Sequence, residues 1–435
     1  MKSEKNQASI ISPFSIVLAL SLFCFLIAVF NLIGEGQSAG DSILQSLNFW
    51  KDGFFSLLDF TMQMMMILVF GYAIAIFKPI HAYLRKISKI PSSPLYAILF
   101  TASITMVAGL LNWGFGLIIG ALLARFVYLA MEDKGIKINP ALLGASGYLG
   151  MAVWHGGLSA SAPLKVAEEG HFLANQIGTV SVSETLFTSF NVTMTGGLIL
   201  VFLVTLIFLS RKDYPYHKPT YSHPLRPISQ GEIGNLARWT GLLILLVFGL
   251  QFLKLDALGL GFLNLNLVNF LLFGITLFLY KNLQSFTEAT TEGIKSSVDI
   301  FIQFPFYAGI LGLVTYSGLL ESVSLFFLET TSQSFFPVLT LFSAAIVNLL
   351  VPSGGGQWAV QGPVIMEVGK SLGLDSGKLI MVFSYGDQIS NLLQPFWALP
   401  LLAITGLNAR DLLRYTSWLF LMGTLFLAFS VYFFF

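Results

Sequence analysis

The groups that could do chemistry in this chain sit where an apolar protein does not normally keep them. Residues 348–363 read NLLVPSGGGQWAVQGP, which places Ser353, Gly354, Gly355, Gly356 and Gln357 inside an apolar stretch. A second break, Asn112-Trp113-Gly114-Phe115-Gly116, interrupts the apolar run 95–127. Each is followed by another polar interruption. SGYLGMAVWHGGLSASAP at 146–163 carries His155, Ser159 and Ser161, and SYGDQISNLLQP at 384–395 carries Asp387, Ser390, Asn391 and Gln394. A helix restarting after a break exposes free N–H groups and the positive end of its dipole, which suits a carboxylate. Glycines let the backbone approach a ligand closely, and carbonyls at the end of the preceding half-helix can hold Na+. The set fits one small anion flanked by cation-capable sites. His155, Asp387, Ser390 and Asn391 are the candidates for carrying H+ or Na+, because polar and acidic groups at membrane depth are costly and usually functional.

Plainer readings stand beside these. Gly114 and Gly116 could serve helix packing, as small residues do in membranes. His155 and Asp387 could cap helix breaks. Asp59 and Asp299 read as helix-entry caps, and Glu184, Thr188 and Asn191 as residues at a span boundary.

The elements that must hold these groups follow from composition. Of 435 residues, 55% are hydrophobic and only 10% charged, with a mean hydropathy of +0.78. Soluble domains carry about 25% charged residues, so most of this surface must meet lipid. Apolar runs at 13–33, 61–77, 186–210, 239–253, 264–280, 298–320 and 415–435 read as spans, and 140–163 and 379–404 as broken ones. The runs 95–127 and 337–366 break near their middles into arms of 11–17 residues, short of the roughly 20 needed to cross. They read as re-entrant hairpins. With the N-terminus in the cytoplasm and both hairpins returning to the side they entered, 18 of the 23 Lys and Arg fall inside. The five left outside are Lys51, Lys165, Lys254, Lys370 and Lys378. Counting each hairpin as one crossing gives 10 inside and 13 outside, against the positive-inside rule.

The expected fold is therefore an all-α polytopic membrane protein with about nine spans, two re-entrant hairpins and two broken helices. DGFFSLLDFTMQ at 52–63 resembles EGIKSSVDIFIQ at 292–303, and the same offset of 240 places Gly114 on Gly354 and Gly116 on Gly356. This predicts inverted-topology repeats at 1–210 and 261–435, joined through a cytoplasmic loop and linker helix at 211–260. The first hairpin opens inward and the second outward. Secondary transporters of this architecture bind substrate at the repeat interface near the midplane.

Enzyme signatures are absent: GGGQ lacks the Gly-Lys-Ser/Thr of a phosphate loop, and neither His-Glu-x-x-His nor Gly-x-Ser-x-Gly occurs. A lone cysteine, Cys24, excludes disulfides and cysteine metal sites. No basic patch suits nucleic acid, and no cofactor is expected beyond Na+ or H+ as coupling ion. VPSGGGQWAVQGP at 351–363, QFPFYAGI at 303–310 and WKDGFFSLLDFTMQ at 50–63 resemble the bacterial short-chain fatty acid transporter family, and the likeness runs over nearly the whole chain. The resemblance implies uptake of small monocarboxylates such as butyrate or acetoacetate across the bacterial inner membrane. It also implies membership of the wider ion transporter superfamily, whose members often form homodimers and move substrate by an elevator motion. Ser-Asn-Thr-type motifs bind carboxylate and Na+ there. Here Leu392 follows Ser390-Asn391, and the first tip lacks a Ser-Asn pair, so proton coupling through His155 stands beside Na+ at the hairpin tips. With no Lys or Arg expected at the midplane, helix ends must meet the carboxylate, while Trp154, Trp358, Phe396 and Trp397 could wall an apolar tail. The alternatives are a carrier of another small organic anion (a dicarboxylate or hydroxy acid) or an anion channel.

Overall fold

A chain this apolar must bond its backbone polar groups internally, and helices do so within each segment. The computed structural model describes residues 13–212, 215–220, 227–229, 234–251, 263–350 and 353–435, and among these residues it is helical with no strand. Helices begin where a short polar side chain can accept from an orphan N–H. Ser93 caps α5 (Pro94–Leu111), Asn112 caps α6 (Trp113–Asp133), and Asn139 caps α7 (Pro140–Tyr148). In the second half, Ser353 caps α17 (Gly354–Ser371) and Asp375 caps α18 (Ser376–Ser390).

The remaining helices fall into place around these. α1 (Pro13–Gly34), α2 (Ala39–Gly53), α3 (Leu58–Ala75) and α4 (Lys78–Ile87) precede the first hairpin, and α8 (Ser161–Val166), α9 (Ala174–Ile177) and α10 (Ser189–Leu209) follow α7. The second half runs through α11 (Leu236–Gln251), α12 (Leu265–Tyr280), α13 (Leu283–Ser296), α14 (Val298–Tyr316), α15 (Leu319–Thr330), α16 (Phe336–Leu350), α19 (Pro395–Thr405) and α20 (Ala409–Phe434). Among the described residues, α1, α3, α5, α6, α10 and α20 are long and apolar enough to cross a membrane, and α13 with α14 forms a longer unit bent by 47°. The linker helix expected at 239–253 is α11; residues 252–262 lie outside the described set.

Several element starts recur at a near-constant offset. α3 and α14 start 240 residues apart, at Leu58 and Val298; α4 and α15, and likewise α6 and α17, start 241 apart. The contacts are reciprocal as well. Gly53 at the end of α2 lies against α14, where an added Cβ would come 2.5 Å from the Ala308 carbonyl. Its counterpart Gly293 lies against α3, 2.7 Å from the Val69 carbonyl by the same measure. Each half lays its amphipathic helix on the other half's long helix. Asn391 Nδ2 donates to the Met151 carbonyl at 3.0 Å, across residues 240 apart.

Both glycine-rich runs fold as hairpins. A Cβ on Gly116 would meet the Gly109 backbone at 2.6 Å, and one on Gly120 would meet Thr105 Cγ2 at 2.7 Å, so α5 and α6 return side by side. In the second hairpin, Gln357 Nε2 on α17 donates to the Ala344 carbonyl on α16 at 2.7 Å. The arms are longer than the apolar runs suggested, at 18 and 21 residues in the first hairpin and 15 and 18 in the second. Helical hydrogen bonding continues past the apolar boundary; α6 carries Arg125, Glu132 and Asp133 in its last turns.

Basic clusters that charge counting assigned to one side meet on one face. Lys134 Nζ donates to the Lys89 and Pro91 carbonyls, Lys78 N–H donates to Ile228, and Arg238 N–H donates to Lys281. Arg414 and Asp411 hold Pro215 and His217. Lys370 instead meets Gln176 elsewhere.

Replacing Gly53 or Gly293 with Leu would press a side chain into backbone that cannot move aside. Each change should cost about 1–3 kcal/mol or more and lower the thermal transition of purified protein. Gly196→Ala, at a site with nothing within 4 Å, should leave it unchanged. An unshifted transition in both leucine variants would refute the interlocked packing.

Candidate functional site

The two hairpin tips are built differently at the level that matters for an anion. At the second tip, Ser353 Oγ accepts from Gly356 N–H at 3.2 Å. The first two N–H groups of α17, at Gly354 and Gly355, remain its open donors among the described residues. At the first tip, the Asn112 side chain accepts from Phe115 N–H at 2.8 Å and donates to the Ile67 carbonyl at 3.1 Å. Ser159 Oγ takes Trp113 N–H at 2.8 Å. At the first tip one of the two leading donors is thus taken, and Gly114 N–H is left open among the described residues.

The breaks supply the rest. α7 ends in tight turns at Leu149–Ala152 and Trp154–Gly156, and α18 in one at Asn391–Leu393 before Pro395 restarts the chain as α19. His155 Nε2 lies 3.0 Å from Asp387 Oδ1 with both residues buried, and His155 N–H donates to Gln388 Oε1 at 2.9 Å. The pair therefore ties the first break to the second. Gly354 fits against it: an added Cβ would stand 2.8 Å from His155 Nε2 and 2.9 Å from Ser161 Oγ. His155 Nδ1, Asp387 Oδ2 and Ser161 Oγ have no hydrogen-bond partner among the described residues.

Asn348, on the arm leading to the second tip, organises the second break. Its Nδ2 donates to the Asp387 carbonyl at 2.7 Å and to Ser390 Oγ and Asn391 Oδ1 at 2.9 Å each. Gln394 Nε2 returns a hydrogen bond to the Asn348 carbonyl. Tyr148 donates to the Asn391 carbonyl at 3.0 Å. One amide thus gathers the oxygens that a cation would otherwise gather.

These groups border a cavity of about 40 Å3, room for roughly three waters' worth of ligand. Ser353, Gly354, Asp387 and Asn391 form its polar side; Trp113, Trp154, Trp397, Met64, Leu68 and Phe304 form much of its apolar side. Phe60 separates it from a larger open cavity of about 720 Å3, standing 5.8 Å from Phe304 on one side and 5.3 Å from Lys165 Nζ on the other. There Lys165 pairs with Glu168 at 2.6 Å and donates to Gln63 Oε1 at 3.1 Å, while Gln63 Nε2 donates to Glu168 and Asn266. Burial holds the nearby His171 imidazole below its ordinary pKa; Leu173 N–H donates to Nδ1, so a neutral ring offers Nε2–H to the Gly178 carbonyl.

Several predicted residues thus converge, and others do not. Ser353, Gly354, Asp387 and Asn391 line the cavity; His155 and Ser161 touch Gly354 from behind. Ser390 and Gln394 act through Asn348. Asn112 and Ser159 secure the first tip, and Gln357 ties the second hairpin's arms. Gly114 lies against Leu68 and Gly116 against Gly109, while Gly355 faces the Phe60 and Phe304 rings and Gly356 the Tyr307 ring. These four glycines meet protein where a ligand was expected. Trp358 packs on Phe383 away from the cavity, with ring centroids 5.0 Å apart. The Phe396 side chain lies outside the described residues. Sequence reading missed Asn348, Gln388, Tyr148 and the buried Lys165–Glu168 pair. An asparagine standing alone in FSAAIVNLL was the available signal for the first.

A cavity with one polar and one apolar side between two hairpins and two broken helices, inside an apolar helical bundle, defines a multi-pass membrane protein with room for a small ligand. The comparisons narrow the class. A family model described as short chain fatty acid transporter matches residues 5–217 and 235–434. Two proteins named "Putative short-chain fatty acid transporter" are similar. That of Escherichia coli (strain K12) is 33% identical over 420 residues, covering 93% of this chain and 91% of that protein. That of Haemophilus influenzae (strain ATCC 51907 / DSM 11121 / KW20 / Rd) is 33% identical over 434 residues, with shares of 93% and 95%. Among solved structures, the Alcanivorax borkumensis YdaH transporter, described as having an unusual topology, superposes with a TM-score of 0.65 at 15% identity, over 96% of this chain and 98% of that one. Neisseria gonorrhoeae MtrF, described within a class of antimetabolite efflux pumps, gives 0.61 at 14%, over 95% and 94%. The chain belongs to the short-chain fatty acid transporter family.

Asn348→Ala should leave a buried carbonyl, hydroxyl and amide oxygen without their shared donor. The expected loss is about 2 kcal/mol or more of stability, read as a lower thermal transition in detergent. An unchanged transition would show that the second break stands without Asn348.

Proposed function

We propose that this protein is a secondary active transporter of short-chain monocarboxylates across the bacterial inner membrane, coupled to protons through His155 and Asp387. The observation that carries the reading is the buried His155–Asp387 contact, 3.0 Å long, joining both broken helices behind the open end of α17. A carboxylate seated on Gly354 and Ser353 brings one negative charge into a site with no basic chain among its lining residues. A proton taken up by the adjacent pair offsets that charge, so loading the site with acid and proton adds no net charge to it. The Asn348 amide already occupies the oxygens of Asp387, Ser390 and Asn391, which favours H+ over Na+ at the second break. Cavity size supports an acid of few heavy atoms, and the helix end that keeps both leading N–H groups open supports one carboxylate rather than two. Basic clusters gathered on one face support a cytoplasmic N-terminus. The elevator motion follows as the hairpins and breaks shifting against α3, α12 and α14.

The test is butyrate uptake into proteoliposomes with pH and Na+ gradients imposed separately. Uptake should follow an inwardly directed proton gradient. Asp387→Asn should abolish accumulation while preserving butyrate exchange between the two sides. Accumulation driven by Na+ alone, or full pH-driven accumulation by the Asn variant, would overturn the proton assignment. Stronger inhibition by succinate than by butyrate would overturn the monocarboxylate assignment.

A further inference from the structure

The internal repeat duplicates a glutamine, and the two copies have diverged in use. Gln63 on α3 is fully engaged: its carbonyl accepts from Lys165, and its amide donates to Glu168 at 2.8 Å and Asn266 at 2.9 Å. Gln303, its counterpart on α14, lines the central cavity and is 4% exposed. The Tyr307 hydroxyl, one turn on, donates to Gln303 Oε1 at 3.1 Å. Nε2, at the other end of the same amide, has no partner among the described residues. The Tyr307 ring is itself held against Gly356. Two more buried donors on the same cavity, Trp113 Nε1 and Trp154 Nε1, also lack protein partners.

This donor excess does not match a plain alkanoate. Such an acid offers oxygens only at its carboxylate, where the open end of α17 already supplies N–H groups. Its hydrocarbon tail would lie against buried N–H groups that lose their hydrogen bonds on binding. An oxygen on the chain removes that penalty, and sites built to hydrogen-bond such a group discriminate strongly against analogues that lack it. We propose that Gln303 is a substrate-binding and specificity-determining residue. Its Nε2 donates to an oxygen carried on the chain of a short oxo- or hydroxy-monocarboxylate whose carboxylate rests on Ser353 and Gly354. Tyr307 is the positioning residue that aims the amide. The inference rests on the monocarboxylate reading above.

Butyrate and 3-hydroxybutyrate share a four-carbon chain and differ by one oxygen, so they serve as probes. Calorimetric titration of the full-length protein in lipid nanodiscs should show 3-hydroxybutyrate binding about tenfold more tightly than butyrate. Gln303→Met, close to isosteric, should weaken 3-hydroxybutyrate about tenfold and leave butyrate unchanged. Tyr307→Phe should reduce the preference part of the way, which keeps the idea testable if the Met variant does not fold. Equal affinity of the wild-type protein for the two acids would overturn the inference while leaving the monocarboxylate reading intact. So would a Gln303→Met variant that weakens both acids equally. Failure of the wild-type protein to bind either acid would overturn both readings.

Discussion

A backbone N–H or C=O inside an apolar bundle has to find a partner there, and this constraint decides where the helices of this protein can stop. Four stops fall in its interior: two hairpin tips and two breaks. Each is secured by a short polar side chain. Asn112 and Ser159 secure the first tip, Ser353 the second, and Asn348 and Asn391 the second break. The stops are also mutually dependent, because Asn391 bonds the Met151 carbonyl and His155 N–H bonds Gln388. Neither break is satisfied by its own half of the chain. The interface between halves is therefore where the interior polar groups had to collect.

Duplication sets up this interface, and divergence makes it a site. The halves share element spacing and reciprocal glycine contacts. Had they remained equivalent, each tip would offer a similar anion hole. Ser159 takes Trp113 N–H at the first, whereas both leading donors of α17 stay open among the described residues. Gln63 is consumed in a buried ionic network, whereas Gln303 lines the cavity with its Nε2 unpartnered among the described residues. His155 belongs to the first half and Asp387 to the second, so their contact has no symmetric partner of the same chemistry. A symmetric scaffold supplies rigidity and orientation, and the departures from symmetry supply a single polarised pocket.

Much of this was legible in the residues. Clustered glycine and proline in apolar runs marked the hairpins and breaks, because such clusters weaken a helix where single residues such as Pro305 and Pro363 are carried inside one. Charge counting grouped the basic clusters that meet on one face, because Lys and Arg avoid the apolar interior. Ser353, Gly354, Asp387 and Asn391 were recognisable as candidates from residue type at interior depth. The glycines were harder to read. Gly114 and Gly354 hold equivalent places at the offset of 240, yet one packs on a leucine side chain and the other on an imidazole. A missing side chain signals close approach without naming what approaches.

What the sequence alone determined was a membrane-embedded helical chain, its interruptions, its duplication and the absence of a basic group among the residues meant to meet an anion. Those properties follow from composition, spacing and the energetics of burying backbone, which act locally along the chain. Tertiary structure alone decided which donors stay open. Whether Trp113 N–H is free depends on Ser159, 46 residues away, and whether Gln303 is free depends on Tyr307 aiming its amide. Hydrogen bonds are exclusive and short-ranged, so availability is settled only once every competing acceptor has its final position.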